Sequence, residues 1–142
     1  MTVRESIFAE IEARLLTIPG IGAVERMPSG DPDQFPSVAI FDGNQEVIEE
    51  GMDQTRHGLT VVIEGFVEGS SGSNVHAALS QLYADTVVAL VTEPPLGGLA
   101  ETISEAGMRV SVAELASKRR LGFGLDFTIE FSTQRGNPAL PA

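Results

Sequence analysis

The chain has 142 residues, of which 42% are hydrophobic and 20% charged, and 20 acidic residues against 9 basic ones give a formal net charge of −11. It contains no cysteine, which excludes disulfides, thiolate catalysis and cysteine metal sites. The sequence shows neither a bilayer-spanning apolar run nor a secretory leader, so we expect a soluble protein made in a cytoplasm. The acidic balance disfavours binding to phosphate backbones or anionic lipid; it fits simple solubility, or a surface that nucleic acid passes without being held.

The first part of the chain contains one helical pattern and two short strand patterns. Residues 2–17 combine a capping-box pair, Thr2 and Glu5, with an apolar stripe at helical spacing, which predicts a helix. Residues 21–27 and 36–41 are predicted strands, and a loop rich in turn residues separates them. The second strand is apolar on both faces, which predicts that both of its faces are covered.

An acidic segment without a basic residue follows, at residues 42–53. Its acids are Asp42, Glu46, Glu49, Glu50 and Asp53. The pattern fits a solvated acidic loop, a long hairpin with its tip at residues 51–54, or a loop that becomes ordered against a partner subunit. It lacks the ligand spacing of an EF-hand.

A third strand and a second helix come next. Residues 58–68 alternate as a strand, in which Gly65 leaves room for a neighbour to approach closely. The turn at residues 69–74 supplies a helix N-cap, predicted as Ser73. Residues 74–93 carry a wide apolar stripe at helical spacing and are predicted as a helix.

The last part of the chain is predicted as three strands and a tail. Residues 99–106 and 108–115 are two strands around a glycine, the first of them an edge strand. Residues 118–120, Lys-Arg-Arg, are predicted as the turn into the last strand, and could contact phosphate or an acidic partner. The tail at residues 133–142 lacks periodicity and is predicted to be disordered.

The last strand, residues 121–131, is the clearest structural signal in the sequence. Its odd positions are all large and apolar, and its even positions are small or polar. The odd positions are Leu121, Phe123, Leu125, Phe127, Ile129 and Phe131. Six inward side chains of this size predict that the strand lies at the centre of the core.

The element order is therefore α-β-β-β-α-β-β-β. It predicts a two-layer α+β fold with a mostly antiparallel sheet and two helices on one face. We expect a single domain at residues 1–132, followed by the tail. Several strands are apolar on both faces, and an isolated domain would leave part of that surface wet, which favours contacts between subunits.

The residues that could carry chemistry form no convergent pattern. The two histidines, His57 and His76, belong to different predicted elements, and neither a nucleophile elbow nor histidine metal-ligand spacing accompanies them. The aromatic residues are not interleaved with basic ones, which disfavours nucleic-acid reading. We expect no enzyme activity, no metal and no cofactor.

Five segments of the chain, in this order, resemble a known family of proteins. Residues 16–25 are Leu-Thr-Ile-Pro-Gly-Ile-Gly-Ala-Val-Glu, and residues 59–69 are Leu-Thr-Val-Val-Ile-Glu-Gly-Phe-Val-Glu-Gly. Residues 78–85, Ala-Leu-Ser-Gln-Leu-Tyr-Ala-Asp, and residues 90–99, Leu-Val-Thr-Glu-Pro-Pro-Leu-Gly-Gly-Leu, form and end the second helix. An Ile-x-Glu-x-Gly segment follows at residues 103–107.

Over about residues 1–132, this arrangement resembles the tail-terminator and tail-completion proteins of long-tailed bacteriophages and phage-like particles. The resemblance implies a non-enzymatic structural protein of the virion neck, assembled in the host cytoplasm as a homo-oligomeric ring, typically a hexamer. Such a ring stops growth of the tail tube at its head-proximal end and presents a surface to the head connector or stopper. DNA passes through the ring without being specifically bound, and no membrane is involved.

By analogy, the resemblance assigns contacts with the tube or connector to the acidic segment and to the turn at residues 69–74, before the second helix. To these we add the basic residues 118–120. These candidate contact residues are Glu46, Glu49, Glu50, Met52, Asp53, Ser70, Ser71, Lys118, Arg119 and Arg120. Two alternatives stay open. The chain could be another tail or head–tail joining protein, such as a tube subunit or stopper, or it could be a cytoplasmic dimeric α+β binding module.

Overall fold

The computed structural model describes residues 1–115 and 118–142. Its elements in chain order are α1 (Val3–Leu15), β1 (Ala23–Arg26), β2 (Ser37–Glu50), β3 (Gln54–Gly69), α2 (Gly72–Val91), β4 (Thr102–Leu115), β5 (Lys118–Gln134) and β6 (Asn137–Pro141). A 3₁₀ turn, Pro95–Gly98, lies between α2 and β4. The predicted α+β class and the order α-β-β-β-α-β-β-β are confirmed.

The strands form one sheet in the order β1-β2-β3-β5-β4. β6 pairs with the end of β5, past the residues that pair with β4. β1 runs parallel to β2, and the other pairs described are antiparallel, as predicted for most of the sheet. β3 and β5 are interior strands, with hydrogen-bonded neighbours on both sides, and β2 is interior over residues 37–40, where β1 also pairs with it.

β5 is the strand at the centre of the core, as its alternation predicts. The side chains at its odd positions are all buried, with Leu125, Phe127 and Ile129 completely inaccessible. The partner strand β3 places Leu59, Val61, Ile63 and Val67 on the same face, because each pairs with one of these odd positions. Antiparallel partners point to the same side of a sheet, so the two strands bury one continuous apolar surface.

The two helices cover this surface. α1 contributes Ile7, Phe8, Ile11 and Leu15, and α2 contributes Val75, Leu79, Leu82 and Leu90, to the same hydrophobic cluster as the odd residues of β5. The predicted arrangement of both helices on one face of the sheet is therefore confirmed. We call this face the helix side and the opposite face the open side.

The helix boundaries differ slightly from those predicted. Thr2 caps α1 by accepting a hydrogen bond from the Glu5 N–H at 3.0 Å, so the capping interaction is confirmed in part. α2 begins at Gly72 with Ser71 at the N-cap, and its side chain makes no capping bond. The prediction of Ser73 as the cap is wrong, because the helix begins earlier than the sequence pattern indicated.

The acidic segment belongs to a long hairpin with its tip at residues 51–54, which confirms that alternative, and the interpretation as a solvated loop is wrong. β2 continues to Glu50, β3 begins at Gln54, and the Gly51 N–H closes the turn by donating to the Gln54 carbonyl at 2.8 Å. The hairpin is stabilised by a third strand, because Gln54 and the residues after it also pair with the end of β5.

Two predicted strands are a single strand, β4. The register against β5 shifts between Glu105 and Gly107, so the glycine lies at a bulge within the strand and does not end it. A bulge accommodates one extra residue and keeps the ladder intact on either side. The edge position predicted for residues 99–106 therefore applies to the whole of β4.

Two further predictions near the C-terminus are wrong. Residues 118–120 belong to β5 and do not form a turn, because their backbone extends the ladder with β3 and β4. The tail is not disordered throughout, since β6 folds back on β5 with Gln134 opposite Asn137. Gly136 permits this tight reversal with a φ of 79°, a conformation that other residues adopt at a cost.

The segment that contains α2 is apolar enough to cross a membrane by length and composition alone, contrary to the expectation from the sequence. In the structure α2 packs Val75, Leu79 and Leu82 against the sheet. One such helix is weak support for a membrane span, because core helices pass the same test.

Candidate assembly surface

The predicted contact residues lie at two opposite ends of the sheet. Glu46, Glu49, Glu50, Met52 and Asp53 belong to the hairpin between β2 and β3. Ser70, Ser71, Lys118, Arg119 and Arg120 lie at the other end, where the end of β3 faces the start of β5. β3 has 16 residues, so the two groups are separated by about 50 Å at roughly 3.3 Å per residue. The residues therefore form two surfaces and not one site.

The first surface is the distal hairpin, which we define as residues 42–57. Gly43 lies at its base, where a Cβ atom would clash with the backbone of Thr60. The register against β3 shifts at this point and again between Val47 and Glu49. Bulges of this kind increase the twist of a strand and bend it locally.

The distal hairpin exposes acidic and apolar side chains together. Met52 at the tip is 93% exposed, and Val47 and Ile48 on β2 are also exposed. Glu50 forms an ion pair with Arg135 at 3.1 Å. Within the described part of the chain, Glu46 and Glu49 have no cationic partner, so their charge is open to solvent or to another chain.

A cluster of charged residues anchors the base of this hairpin to α1. Asp42 accepts hydrogen bonds from Arg4 at 2.7 Å and from Arg26 at 3.1 Å, and both guanidinium groups lie over the ring of Phe8. Arg26 also pairs with Glu5 at 2.6 Å. The hydrogen bond to Glu5 raises the pKa of Arg26, with Asp42 adding to the effect against partial desolvation. The point where the hairpin begins is therefore fixed by three chain segments.

His57 closes the base of the hairpin from the other strand. Its ring stacks on Phe131 at 4.9 Å between centroids, its Nε2 lies 3.1 Å from the Thr133 hydroxyl, and its Nδ1 lies 3.4 Å from Gln45 Nε2. The Gln45 carbonyl oxygen accepts from Arg4 at 2.9 Å, which leaves the Gln45 amide N–H to donate to Nδ1. Burial lowers the pKa of His57. These contacts suit a neutral imidazole and give His57 a structural role.

β4 exposes a stripe of apolar residues on the helix side of the sheet. Met108, Val110 and Val112 are opposite Leu125, Phe123 and Leu121 of β5. The β5 residues are buried, whereas Val110 is 50% and Val112 is 64% exposed. The helices therefore cover β5 but leave this part of β4 open.

The second group of predicted contacts is only partly available to a partner. Arg120 forms an ion pair with Glu68 at 3.3 Å, and its guanidinium lies 4.8 Å from the centre of the Phe35 ring. Its side chain is largely buried by these contacts and holds the loop before β2 against the sheet. Arg119 is more exposed and lies beside Gly72, at the start of α2. The side chain of Lys118 lies outside the described part of the structure.

A small cavity lies on the open side of the sheet, beneath the loop before β2. Ser37, Glu25, Glu64 and Phe66 contribute to its walls, and its volume is about 110 Å³. The Ser37 hydroxyl is buried and has no hydrogen-bond partner among the described residues. Ligand pockets usually occupy about 300–1,000 Å³, so the size does not indicate a substrate site.

Within residues 1–115 and 118–142, no three histidine or acidic side chains come together in a way that could hold a metal ion. His76 is exposed near the start of α2, and His57 is enclosed by the contacts described above.

Comparison with known proteins finds similarity to solved structures. No family model matches the chain, and no curated protein matches it. The structure is similar to a chain of a solved structure described as "Virion of native gene transfer agent (GTA) particle", with 14% sequence identity and a TM-score of 0.47. The match covers 91% of this chain and 92% of that one. A similarity of this size identifies neither the family nor the function of this chain.

The apolar stripe on β4 is the surface that sequence reasoning did not place among the contacts. Met108, Val110 and Val112 alternate as the residues of a half-buried strand do. Only the strand order reveals that they lie on an edge strand beyond the helices. A local pattern contains no information on which strand ends a sheet.

Proposed function

We propose that this chain is a structural virion protein, a tail terminator that forms a homo-oligomeric ring at the head-proximal end of a tail tube. The observation that carries the proposal is the exposed apolar stripe on β4, Met108, Val110 and Val112. Exposed apolar side chains in a row on an edge strand favour a partner, because they otherwise promote uncontrolled association. The sequence resemblance supplies the kind of assembly in which that partner is another copy.

The charge of the chain suits a ring around DNA. A net charge of −11 on each copy repels the phosphate backbone, so DNA would pass through the ring without being retained. On the open side of the sheet, the cations Arg56 and Arg109 are paired with Glu130 and Asp126. These cations are therefore partly neutralised and are poorly placed to bind phosphate.

The distal hairpin is the proposed contact with the tail tube or the head connector. Its tip combines an exposed apolar side chain, Met52, with an exposed acidic one, Asp53. Its base is held by Asp42 and His57, so the tip is presented from a fixed position. Fixed attachment lowers the ordering entropy lost on binding.

The experiment that tests the function is a tube-capping assay. The purified chain is added to tail-tube protein of the same particle during polymerisation, and tube lengths and ends are measured by negative-stain electron microscopy. We expect rings with a central hole, shorter tubes, and a ring at one end of each tube. A monomer or two-fold dimer that leaves tube growth unchanged would contradict the proposal and support a binding module.

A charge added at the hairpin tip tests which surface meets the tube. We expect Met52→Lys, at the 93% exposed tip, to form rings with reduced capping. The matched control is Val88→Lys, at an exposed valine of α2, which adds the same charge elsewhere. Equal capping by the hairpin variant and the control would exclude the tip of the hairpin from the contact.

A further inference from the structure

The sheet ends in two open strand edges on opposite sides. Among the described residues, β4 pairs only with β5. On the other side, β1 pairs with β2 only as far as Ile40, so the distal part of β2, residues 42–50, has β3 on one side and no described strand on the other. An edge strand presents a row of unpaired N–H and C=O groups that can pair with another chain.

Both edges expose apolar side chains on the helix side. Val47 is opposite His57, which is itself opposite the buried Phe131, so Val47 points to the helix side. Val110 is opposite Phe123 and points the same way. Val47 is 59% exposed and Val110 is 50% exposed. Bringing the two edges together would bury these side chains against each other on one face.

The directions of the two strands are compatible with pairing between copies. β2, β3, β5 and β4 alternate in direction across the sheet, so β2 and β4 run antiparallel to each other. When a second copy is placed beside the first with its helix side facing the same way, β4 of one copy therefore meets β2 of the next as an antiparallel pair. A pair of copies joined in this way still has one free β2 edge and one free β4 edge, so further copies can be added.

Charge complementarity selects the part of β4 that would be used. Arg109 lies on the open side with its side chain 58% exposed and forms an ion pair with Asp126 at 3.2 Å. On β2, Glu49 is opposite Arg56, which pairs with Glu130 and therefore also lies on the open side. A pairing of residues 46–49 with the strand around Arg109 brings opposite charges together on this face, with valines together on the other. Farther towards the start of β4, the open-side residues are Thr102 and Ser104, which offer no positive charge to Glu46 and Glu49.

We propose that β4 of one copy, around residues 108–112, pairs antiparallel with the distal part of β2 of the next copy, so that the sheets of neighbouring copies are continuous. The proposal rests on the ring of the proposed function and names the interface that builds it. The contact is heterologous, since each copy uses two different edges, and such a contact closes into a ring when the rotation between copies permits. Strand addition at an open edge is a common mode of recognition.

Lysine substitutions at the two edges test the pairing. Val110→Lys and Val47→Lys each place a charge on one edge, which is the way natural proteins block edge pairing. The control is Val88→Lys, an equally drastic change at a valine of α2 that is 67% exposed. The mass of each variant, and of an equimolar mixture of the two edge variants, is measured by light scattering after size exclusion, with circular dichroism to confirm folding.

We expect the wild type and Val88→Lys to form the large species, and each edge variant alone to lose it. The mixture of Val110→Lys and Val47→Lys is the decisive sample, because each variant retains the edge that the other has lost. It should give a 1:1 dimer that does not grow further. Hydrogen exchange at residues 44–50 and 108–112 should slow in the wild-type assembly. In the mixed dimer, exchange at residues 44–50 should slow only in the Val110→Lys variant, and exchange at residues 108–112 only in the Val47→Lys variant.

Each other outcome overturns the pairing. If both edge variants associate like the wild type, the ring of the proposed function stands and the edge pairing is wrong. If Val47→Lys still dimerises while Val110→Lys does not, β4 of one copy pairs with β4 of a second copy across a two-fold axis. The head-to-tail pairing of β4 with β2 is then wrong. A folded wild-type chain that stays monomeric, with rapid exchange at both edges, overturns the pairing and the ring together.

Discussion

Gly65 of β3 lies opposite Phe123 of β5, and the Phe123 ring occupies the space that a Cβ atom at residue 65 would need. The close approach that the sequence indicated at this glycine is thus confirmed, with the neighbour now identified. Phe123 is 2% exposed, so its ring is enclosed by neighbouring side chains. Its ring also meets Tyr83 of α2 edge-on at 6.3 Å, so the contact connects the sheet to the helix layer.

We expect Gly65→Ala to lower the free energy of unfolding by about 1–3 kcal/mol, because the added methyl group overpacks a closed site. Urea denaturation measures the change. Gly107→Ala is the control, since a methyl group on this strand glycine would meet no described atom within 4 Å. Equal stability of the two variants would mean that Phe123 can leave the space above Gly65.

A second prediction concerns the central strand. Phe127 is completely buried. Its replacement by alanine removes most of a large buried side chain and leaves a cavity, so we expect Phe127→Ala to cost about 3–5 kcal/mol. Val112→Ala, at an exposed position on β4, should change the stability of the monomer by at most about 0.5 kcal/mol. A thermal transition that Phe127→Ala barely shifts would contradict the central place of β5.

The success of the sequence in locating β5 and its failure at the edges have one physical cause. Alternation of apolar and polar residues predicts that one face of a strand is buried. The odd residues of β5 share one cluster with residues of both helices, so the predicted burial is observed. In β4 the same alternation at Met108 and Val110 meets no helix, and only long-range strand order shows this. The tail was mispredicted for a related reason, since β6 is held by pairing with β5 and its own residues stay exposed.

The candidate surfaces were predictable to the extent that they are local in sequence. The acids of the distal hairpin are neighbours in the chain, so their cluster is visible without a structure. The sequence predicts Arg120, by contrast, as part of a basic turn. In the structure it contacts Glu68 and Phe35, which belong to distant segments of the chain. Distant contacts of this kind decide whether a charge is available to a partner.

A third prediction concerns the anchor of the distal hairpin. Asp42 accepts from both Arg4 and Arg26, and its side chain is 25% exposed. Because Asp42→Ala leaves both guanidinium groups without this acceptor, we expect a loss of about 1–2 kcal/mol. The loss should shrink at high salt, and amide exchange within residues 42–57 should accelerate more than elsewhere.

The control for this anchor is an ion pair of the same hairpin that is far more exposed. Glu50 and Arg135 are each 55% exposed. Pairs of this kind contribute little, so Glu50→Ala should change stability by at most about 0.5 kcal/mol. If the two variants have the same effect, the cluster around Phe8 does not hold the hairpin more firmly than an ordinary surface pair.

The last prediction is a dependence of stability on pH that arises from His57. Burial lowers the pKa of this imidazole in the folded state below the value of about 6.5 in the unfolded chain. When the pH falls through that unfolded value, the unfolded chain takes up a proton that folded His57 does not, so folding becomes less favourable. Above the pKa of the unfolded chain, His57 therefore does not reduce the free energy of unfolding. As the pH falls below that value towards the folded pKa, His57 reduces the free energy of unfolding progressively.

The neighbours of His57 act in the same direction. Protonation would place an N–H at Nδ1 against the Gln45 amide, whose own orientation is fixed by Arg4. Urea denaturation between about pH 5 and pH 7.5 should show a steeper fall for the wild type than for His57→Gln, whereas His76→Gln, at an exposed position of α2, should behave like the wild type. Parallel profiles for the wild type and His57→Gln would mean that the imidazole at the base of the hairpin titrates as it does in the unfolded chain.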